Sequence, residues 1–384
     1  MKIKNKLSIF VLCLLCVSFI LFWGLRPFNF NPRNGATWLK TGNGINFHNH
    51  GIVYGPSEFK DFDKLPLFEK NEPISIELWL TPGSDGYDRV SHIFGVYDGQ
   101  QREIFSLSQV KSLLKLSIYQ NPENNKSAPH RWRWLKNTFF KGQKRFLTLT
   151  SDKTSTTVYW DGRKVIKYRN YSLIFSRDLA PEWCMIIGND PSGTKPWTGK
   201  IHGLAIYNHA LSPKRVSEHF EKWRGENALS LLKEKNLIAL YPMDERDGNV
   251  IHNASIDRHH LLIPHKFKIL KKNFLQLPNI AFKLNSSTVR DVGINIVGFI
   301  PLGFFLIYSL NYKSLSAPSW RYIGLALIGG IAVSFIVEMF QAYLPTRNSS
   351  LLDLIFNSLG TGLGVILALV LIKIKNPAHR TRQF

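Results

Sequence analysis

Long apolar runs and short alternating ones divide this chain. Residues Leu7–Leu25 are almost wholly apolar, and three comparable runs come late, at about Val292–Leu310, Tyr322–Leu344 and Leu351–Ile372. A helix of roughly 20 apolar residues reaches across the hydrocarbon of a bilayer, so these runs predict transmembrane spans. Between the first and second runs the pattern changes. Short stretches recur at Ile74–Leu80, Ile104–Leu107, Leu113–Tyr119, Phe146–Thr150, Thr156–Trp160, Lys164–Tyr168, Met185–Ile187 and Ile201–Tyr207, each bounded by Gly, Pro, Asn or Asp. That pattern predicts many short strands closed into an all-β jelly-roll sandwich. Asp161-Gly162, set between two such stretches, suits a type I′ hairpin turn, which needs positive φ at both positions. Ser212-Pro213 then predicts a helix start, with Ser as N-cap and Pro in the first turn, running to about Trp223.

Charge orients the spans. The first run follows Lys2, Lys4 and Lys6 and ends Phe22-Trp23-Gly24-Leu25-Arg26-Pro27, with no small-x-small cleavage pattern, so it is expected to stay as an anchor. With four spans, Lys313 and Arg321, then Lys373, Lys375, Arg380 and Arg382, fall on the same side as the N-terminal lysines, as the positive-inside rule asks. Lys266, Lys268, Lys271, Lys272, Lys283 and Arg290 fall on the other side, as a basic stem able to lie on anionic lipid heads. Long translocated segments are largely exempt from the rule. The expected plan is a membrane anchor at 1–27, an extracytoplasmic β domain at 28–265, a basic juxtamembrane linker at 266–290, a helical transmembrane domain at 291–375 and a cytoplasmic tail at 376–384. The expected topology is multi-pass, with residues 28–290 outside the cytoplasm.

Composition adds two constraints. The formal charge of +22 favours anionic partners, membrane lipids and acidic glycans among them. Nucleic acid is disfavoured, because the basic residues are scattered and no zinc, helix-turn-helix or RNA-binding signature accompanies them. The three cysteines, Cys13, Cys16 and Cys184, leave the middle region a single thiol and so no internal disulfide. No Cys/His spacing suited to a metal appears, and no cofactor is expected apart from the calcium considered below.

The late apolar runs carry groups that resist burial in lipid. Asp291, Asn295 and Gly298 open one run; Asp353, Asn357 and Gly360 open another in the same Asp-x3-Asn-x2-Gly spacing; Glu338, Gln341 and Arg347 lie between. Ionisable groups within such runs are costly and so are seldom accidental. Helical periodicity puts each Asp-Asn-Gly set on one face, and Gly298, Gly360 and Gly364 are expected to let helices approach closely. Arg347, on the short turn between spans, is placed to pair with Asp353 or Glu338. Two outcomes stay open: the groups hydrogen-bond the bundle together, or they form a site near the outer surface. In the second case surplus negative charge would recruit a cation or a basic ligand group. Asp291, Glu338 or Asp353 would then be acid/base candidates, and Arg347 would grip a phosphate.

Two resemblances sharpen these expectations. Ile74-Ser-Ile-Glu-Leu-Trp79-Leu80, Tyr159-Trp160-Asp161-Gly162, Ile187-Gly188-Asn189 and the block from Trp197 to Ser212, closing in Tyr207-Asn208-His-Ala210-Leu211-Ser212, resemble the laminin-G-like (LamG) branch of the concanavalin A-like lectin/glucanase superfamily over about 35–225. Leu240–Gly248 looks like a further segment of the same type. The resemblance implies a jelly roll that binds a cell-envelope glycan or a surface protein. Trp79 and Trp160 sit on strand patterns and read as core. Trp132, Trp134 and Trp197 lie in polar, loop-like surroundings and are the glycan-stacking candidates. Asn189 and Asp190 are the candidates for a calcium site such as some relatives hold. The Glu-x-Asp-x-x-Glu strand of the superfamily's glucanases is absent, which favours binding over hydrolysis.

Residues 291–364 resemble the VanZ-like family, on Asp291, Asn295, Gly298-Phe299-x-Pro301-Leu302-Gly303, Glu338-x-x-Gln341, Arg347, Asp353, Asn357 and Gly360. This resemblance implies a membrane module of the bacterial cell envelope, in the inner (cytoplasmic) membrane, and names no reaction. Members typically have a further N-terminal span, a place that Leu7–Leu25 would fill. Two functions are therefore weighed. One is a non-catalytic envelope protein that recognises a glycan or surface protein. The other is an integral membrane enzyme acting on a lipid-linked saccharide or phospholipid.

Overall fold

The computed structural model describes residues 2–375 except 49, 56–71, 85, 99–101, 120–129, 174–182, 268–273, 277–285, 312–317, 346 and 348. Lys268, Lys271, Lys272 and Lys283 of the basic stem, Lys313, and the tail 376–384 with Arg380 and Arg382 lie outside the described residues. Two compact units emerge. Pro32–Lys271 forms one; Met1–Asn31 together with Lys272–Phe384 forms the other, so the β unit is inserted in the chain of a helical one.

The chain begins with α1 (Lys2–Gly24). The β unit then supplies β1 (Ala36–Trp38), β2 (Ile45–Phe47), β3 (Val53–Gly55), β4 (Ile74–Pro82), β5 (Ser91–Asp98), β6 (Glu103–Val110), β7 (Leu113–Tyr119) and β8 (His130–Leu135). It continues with β9 (Arg145–Ser151), β10 (Ser155–Trp160), β11 (Arg163–Arg169), β12 (Trp183–Ile187), β13 (Gly199–Tyr207), α2 (Pro213–Arg224), a 3-10 turn at Ala228–Lys233, β14 (Leu237–Tyr241), β15 (Val250–Ile251) and β16 (Leu261–Leu262). Two antiparallel sheets result. One runs β1-β2-β13-β4-β9-β10-β11 with β14 also on β13; the other runs β15-β16-β3-β12-β5-β6-β7-β8. This is the sandwich that the alternating pattern predicts.

Alternation decides what each face meets. Ile76 and Leu78 of β4, Leu147 and Leu149 of β9, and Leu204 and Ile206 of β13 point between the sheets. There they meet Phe94 and Val96 of β5, Phe105 and Leu107 of β6, and Leu114 and Leu116 of β7. Each such side chain contributes about 1.5–3 kcal/mol on burial. On the other face of the first sheet, Trp79, Phe146, Tyr159 and Tyr207 are covered by Val216 and Trp223 of α2. Helix α2 starts as expected: Ser212 Oγ accepts from the Arg215 N–H, and Pro213 opens the first turn. The β10–β11 hairpin turns on Asp161 and Gly162 at φ +51° and +75°, the conformation that type I′ requires. Asp161 then anchors its own turn by accepting from Phe146 N at 2.9 Å.

The helical unit adds α3 (Ser286–Leu310), α4 (Trp320–Tyr343) and α5 (Leu351–Lys375) to α1. All four helices are long and apolar enough to cross a membrane. Ile294, Val297, Ile328, Ile355, Leu359 and Ile366 face outward, a distribution that suits lipid better than water. Small residues set the packing of α3 on α5. A Cβ at Gly360 would collide with the Ile296 carbonyl, at Gly364 with the Ile300 carbonyl, and at Gly303 with the Thr361 carbonyl. Gly298 behaves differently from expectation: nothing lies within 4 Å of where its Cβ would be. Its face has turned away from α5, and Gly303 on the next turns takes the role.

Candidate functional site

The polar groups of the helical unit gather along a seam where all four helices meet. Asn295 on α3 donates from Nδ2 to Asp353 Oδ1 on α5 at 2.9 Å. Asn357, one turn further along α5, donates from Nδ2 to Ser334 Oγ on α4 at 3.0 Å. Glu338, one turn beyond Ser334, is 1 % exposed and accepts the Ser350 N–H at 2.7 Å. Ser350 also precedes α5, and its Oγ accepts from Asp353 N at 3.4 Å, a cap of the Ser-x-x-Asp type. Gln341, beside Glu338 on α4, donates to the Gly24 carbonyl at the end of α1, at 2.8 Å. A short parallel bridge completes the arrangement: Gln276 N donates to Ser349 O, and Leu351 N to Gln276 O.

Five of the seven sequence-selected groups thus lie at helix contacts, but in pairs that spacing alone does not reveal. Asn295, Asp353, Asn357, Glu338 and Gln341 each cross-link two elements. Arg347 is exposed, and its Nε donates to the Arg26 carbonyl just past α1, at 3.1 Å. Among the described residues it pairs with neither Glu338 nor Asp353 within 4 Å, because the α1 terminus takes its guanidinium instead. Asp291 stands apart. Its side chain is 66 % exposed, and the neighbouring Arg290 lies 3.9 Å from it. Arg347 thus makes no direct ion pair with these acids among the described residues, while its charge still acts on both Glu338 and Asp353, and that of Asp291 on Asp353. Ser334, Ser350 and Gly24 are the partners that sequence reasoning missed. Ser350-Leu-Leu-Asp353 was readable as a cap, whereas Gly24 carried no signal because its contribution is a backbone carbonyl.

The sandwich offers a second candidate region. Trp132 and Trp134, 50 % and 41 % exposed, lie on strand β8 and not in a loop. They alternate onto one face, opposite Ser117 and Lys115 of β7 respectively. Lys115 Nζ lies 5.7 Å from the centroid of each indole, so an ammonium sits between two open aromatic rings. Burial holds the Lys115 pKa below the usual lysine value. Further along the same sheet, Ser106 Oγ donates to Glu103 Oε1 at 2.8 Å, and His92 Nδ1 meets Tyr97 Oη at 2.9 Å. Burial pushes His92 down to about 4, so it stays neutral there.

Trp197 departs from the expectation of a surface stacking platform. It is 1 % exposed, packs in the intersheet core, and donates from Nε1 to Gln109 Oε1 at 2.7 Å. A polar, Gly- and Pro-flanked segment looks loop-like in sequence, but here it folds its indole inward. Trp160 is core as expected. Trp79 is buried on the outer face of its sheet, beneath α2. Asn189 and Asp190 organise their own loop: Asp190 accepts from Thr194 N, Lys195 N and Ser192 Oγ, and Asn189 Oδ1 from Asp190 N and Lys195 N. Lys195 Nζ also lies 4.0 Å from Asp190. The pair shapes the turn that carries it.

A buried carboxylate under α2 was not singled out in the sequence. Glu77 accepts from His219 Nδ1 at 2.7 Å, Tyr207 Oη at 2.9 Å and Trp223 Nε1 at 3.1 Å. With three donors and full burial it fastens the helix to the sheet.

Residues 58–217 match the family model described as the concanavalin A-like lectin/glucanases superfamily, and residues 237–373 match that described as VanZ/LLP1. The second match begins within β14, upstream of the helical unit. No curated protein matches the chain. Among solved structures, a putative carbohydrate-binding protein from Bacteroides ovatus is 14 % identical, covering 60 % of this chain and 62 % of its own, with a TM-score of 0.41. The receptor-binding domain of botulinum neurotoxin C/D mosaic serotype is 12 % identical over 49 % of this chain and 45 % of its own, TM-score 0.36. A heptameric SAP-like pentraxin from Limulus polyphemus is 13 % identical over 50 % of this chain and 80 % of its own, TM-score 0.31. The chain spans less than two thirds of the length of the first of these structures.

Proposed function

We propose, from a chain that joins a concanavalin A-like lectin domain to a VanZ-like domain with apolar helices, that this membrane protein displays a glycan-binding sandwich on the outer face of the bacterial inner membrane. Residues 28–290 stand outside the cytoplasm in this reading, and four spans return the C-terminal tail inside. The sandwich recognises a cell-envelope glycan, or failing that a surface protein, while the helical unit anchors it in lipid. The observation that carries the glycan reading is the pair of half-exposed indoles, Trp132 and Trp134, set around Lys115 on one strand face. Open indoles stack on the apolar faces of sugar rings, and a nearby ammonium donates to hydroxyls or anions.

The test is a glycan array probed with the detergent-solubilised full chain, beside the Trp132→Ala/Trp134→Ala variant. Selective binding lost in the variant supports the reading. Binding to no glycan, with capture of an envelope protein instead, moves it to protein recognition.

A second reading draws on Glu338, a carboxylate buried among amides and hydroxyls at the helix seam. It makes the helical unit an enzyme acting on a lipid-linked saccharide or phospholipid, with Glu338 or Asp353 moving a proton. Glu338→Gln separates the two. Normal protein levels with loss of the cellular phenotype favour a reactive site, and retained phenotype leaves Glu338 a helix fastener.

A further inference from the structure

The charge on the sandwich is distributed unevenly. Residues 130–169 hold eleven Lys and Arg against two Asp. Both carboxylates are consumed where they stand. Asp161 takes Arg145 Nε at 2.6 Å and Phe146 N at 2.9 Å; Asp152 takes Thr154 N at 2.8 Å and Ser155 N at 2.7 Å. Six of the eleven cations lie on two strands at one side of the sandwich, Arg131 and Arg133 on β8 and Arg163, Lys164, Lys167 and Arg169 on β11. Strand β8 is the last of one sheet and β11 the last of the other. They adjoin: Tyr168 Oη donates to Trp134 O at 3.0 Å, and Arg131 Nη2 to Asn170 O at 2.7 Å.

Arg131, Arg133, Arg163, Lys164, Lys167 and Arg169 form no ion pair with any described carboxylate. The two β8 arginines are held in place. Their guanidinium carbons lie 5.9 Å and 5.1 Å from the centroid of the buried Tyr171 ring. Each also spends one outer N–H on a backbone carbonyl, Arg131 Nη2 on Asn170 O and Arg133 Nη1 on Trp132 O, so each is held in place, keeps further N–H donors for an anion and loses little side-chain entropy when one arrives.

Charged side chains on edge strands also have an ordinary purpose, since they block sheet-to-sheet pairing. That purpose accounts for β11, whose exposed positions are largely basic. It does not account for Trp132 and Trp134, because two open indoles on an edge strand raise the hazard that the charges would lower. Indoles and unpaired cations together suit a ligand with apolar ring faces and repeated negative charge.

We propose that the β8–β11 edge selects an acidic polysaccharide, its sugar rings on Trp132 and Trp134 and its carboxylate or sulfate groups along the cations of both strands. The inference rests on the glycan reading of the sandwich and adds to it the charge class of the ligand. Successive same-face residues on a strand are about 6.8 Å apart; Trp132 and Trp134 repeat at that spacing on one face of β8 and Arg131 and Arg133 on the other, so a linear polymer lying along the edge meets members of both sets.

The experiment uses the full chain in neutral-lipid nanodiscs. Alginate, dextran sulfate, neutral dextran and vesicles of anionic phospholipid serve as probes, at low and at physiological salt. Expected is binding to the two acidic polymers that weakens about tenfold or more on raising salt, as counterion release requires. The variants Lys164→Gln/Lys167→Gln/Arg169→Gln and Trp132→Ala/Trp134→Ala should each lose binding while melting like the parent. Equal binding to neutral dextran, or binding that the glutamine variant leaves intact, overturns the charge inference and keeps the lectin reading. Binding to anionic vesicles with none to any polysaccharide overturns both and makes the edge a lipid-facing surface.

Discussion

Two histidines show how far a single residue's surroundings set its chemistry. His202 donates from Nδ1 to the Asn43 carbonyl at 3.1 Å, which leaves Nε2 to accept from Thr81 Oγ1 at 2.9 Å. Both nitrogens are engaged as in a neutral ring, and burial pushes its pKa from 6.5 to about 4. His92 is shifted equally, again by burial. In the unfolded chain both protonate near 6.5, so between that pH and about 4 the unfolded state binds more protons. Stability of the sandwich is therefore fully present above pH 6.5 and falls as the pH drops through the window. Thermal unfolding of the detergent-solubilised chain, followed by tryptophan fluorescence from pH 7.5 to 4, is expected to show this decline. His202→Gln should flatten it, and an unchanged slope in both that variant and His92→Gln would remove the histidines as its cause. At this scale the sequence misled over Trp197, whose polar neighbours suggested exposure. It was silent over Lys115, whose interest comes only from lying across a strand pair from Trp134.

At the scale of elements, helix α5 is the member on which the helical unit is assembled. Its Gly360 and Gly364 lie against carbonyl oxygens of α3, and its Thr361 fills the space left by Gly303 and Gly330. Its Asp353 and Asn357 reach α3 and α4 respectively. Close backbone approach is what makes those polar contacts short, since apolar surface gives helices no preference for one another in lipid. Gly364→Leu drives a branched side chain into the Ile300 carbonyl. It should destabilise the unit by about 1–3 kcal/mol or more, the range for overpacking. The readout is the temperature at which half the solubilised protein aggregates. Gly298→Leu, facing open space, should leave that temperature within a degree or two of the parent, and equal losses in both would refute the assigned packing. The repeated Asp-x3-Asn-x2-Gly spacing correctly marked two helix faces, but periodicity says nothing about which neighbour a face meets.

For the whole molecule, the consequential fact is discontinuity: α1 belongs with α3, α4 and α5 although the sandwich separates them in the chain. Gln341 and Arg347 each end on a carbonyl near the end of α1, at Gly24 and Arg26. Reporter fusions at residues 30, 150 and 348 are expected to report the outer side, and fusions at 315 and 384 the cytoplasm. An active cytoplasmic reporter at 150 would reverse the proposed orientation. The two fold classes, the four apolar helices, the β10–β11 turn and the α2 cap were all determined by the sequence itself. Those features depend on residues close in the chain, through period, turn chemistry and length. Which indoles stay open, which cations lack partners, and which amide meets which carboxylate were decided only by tertiary structure. Those facts depend on groups tens to hundreds of residues apart, and packing and hydrogen-bond satisfaction choose among arrangements that the local pattern leaves equivalent.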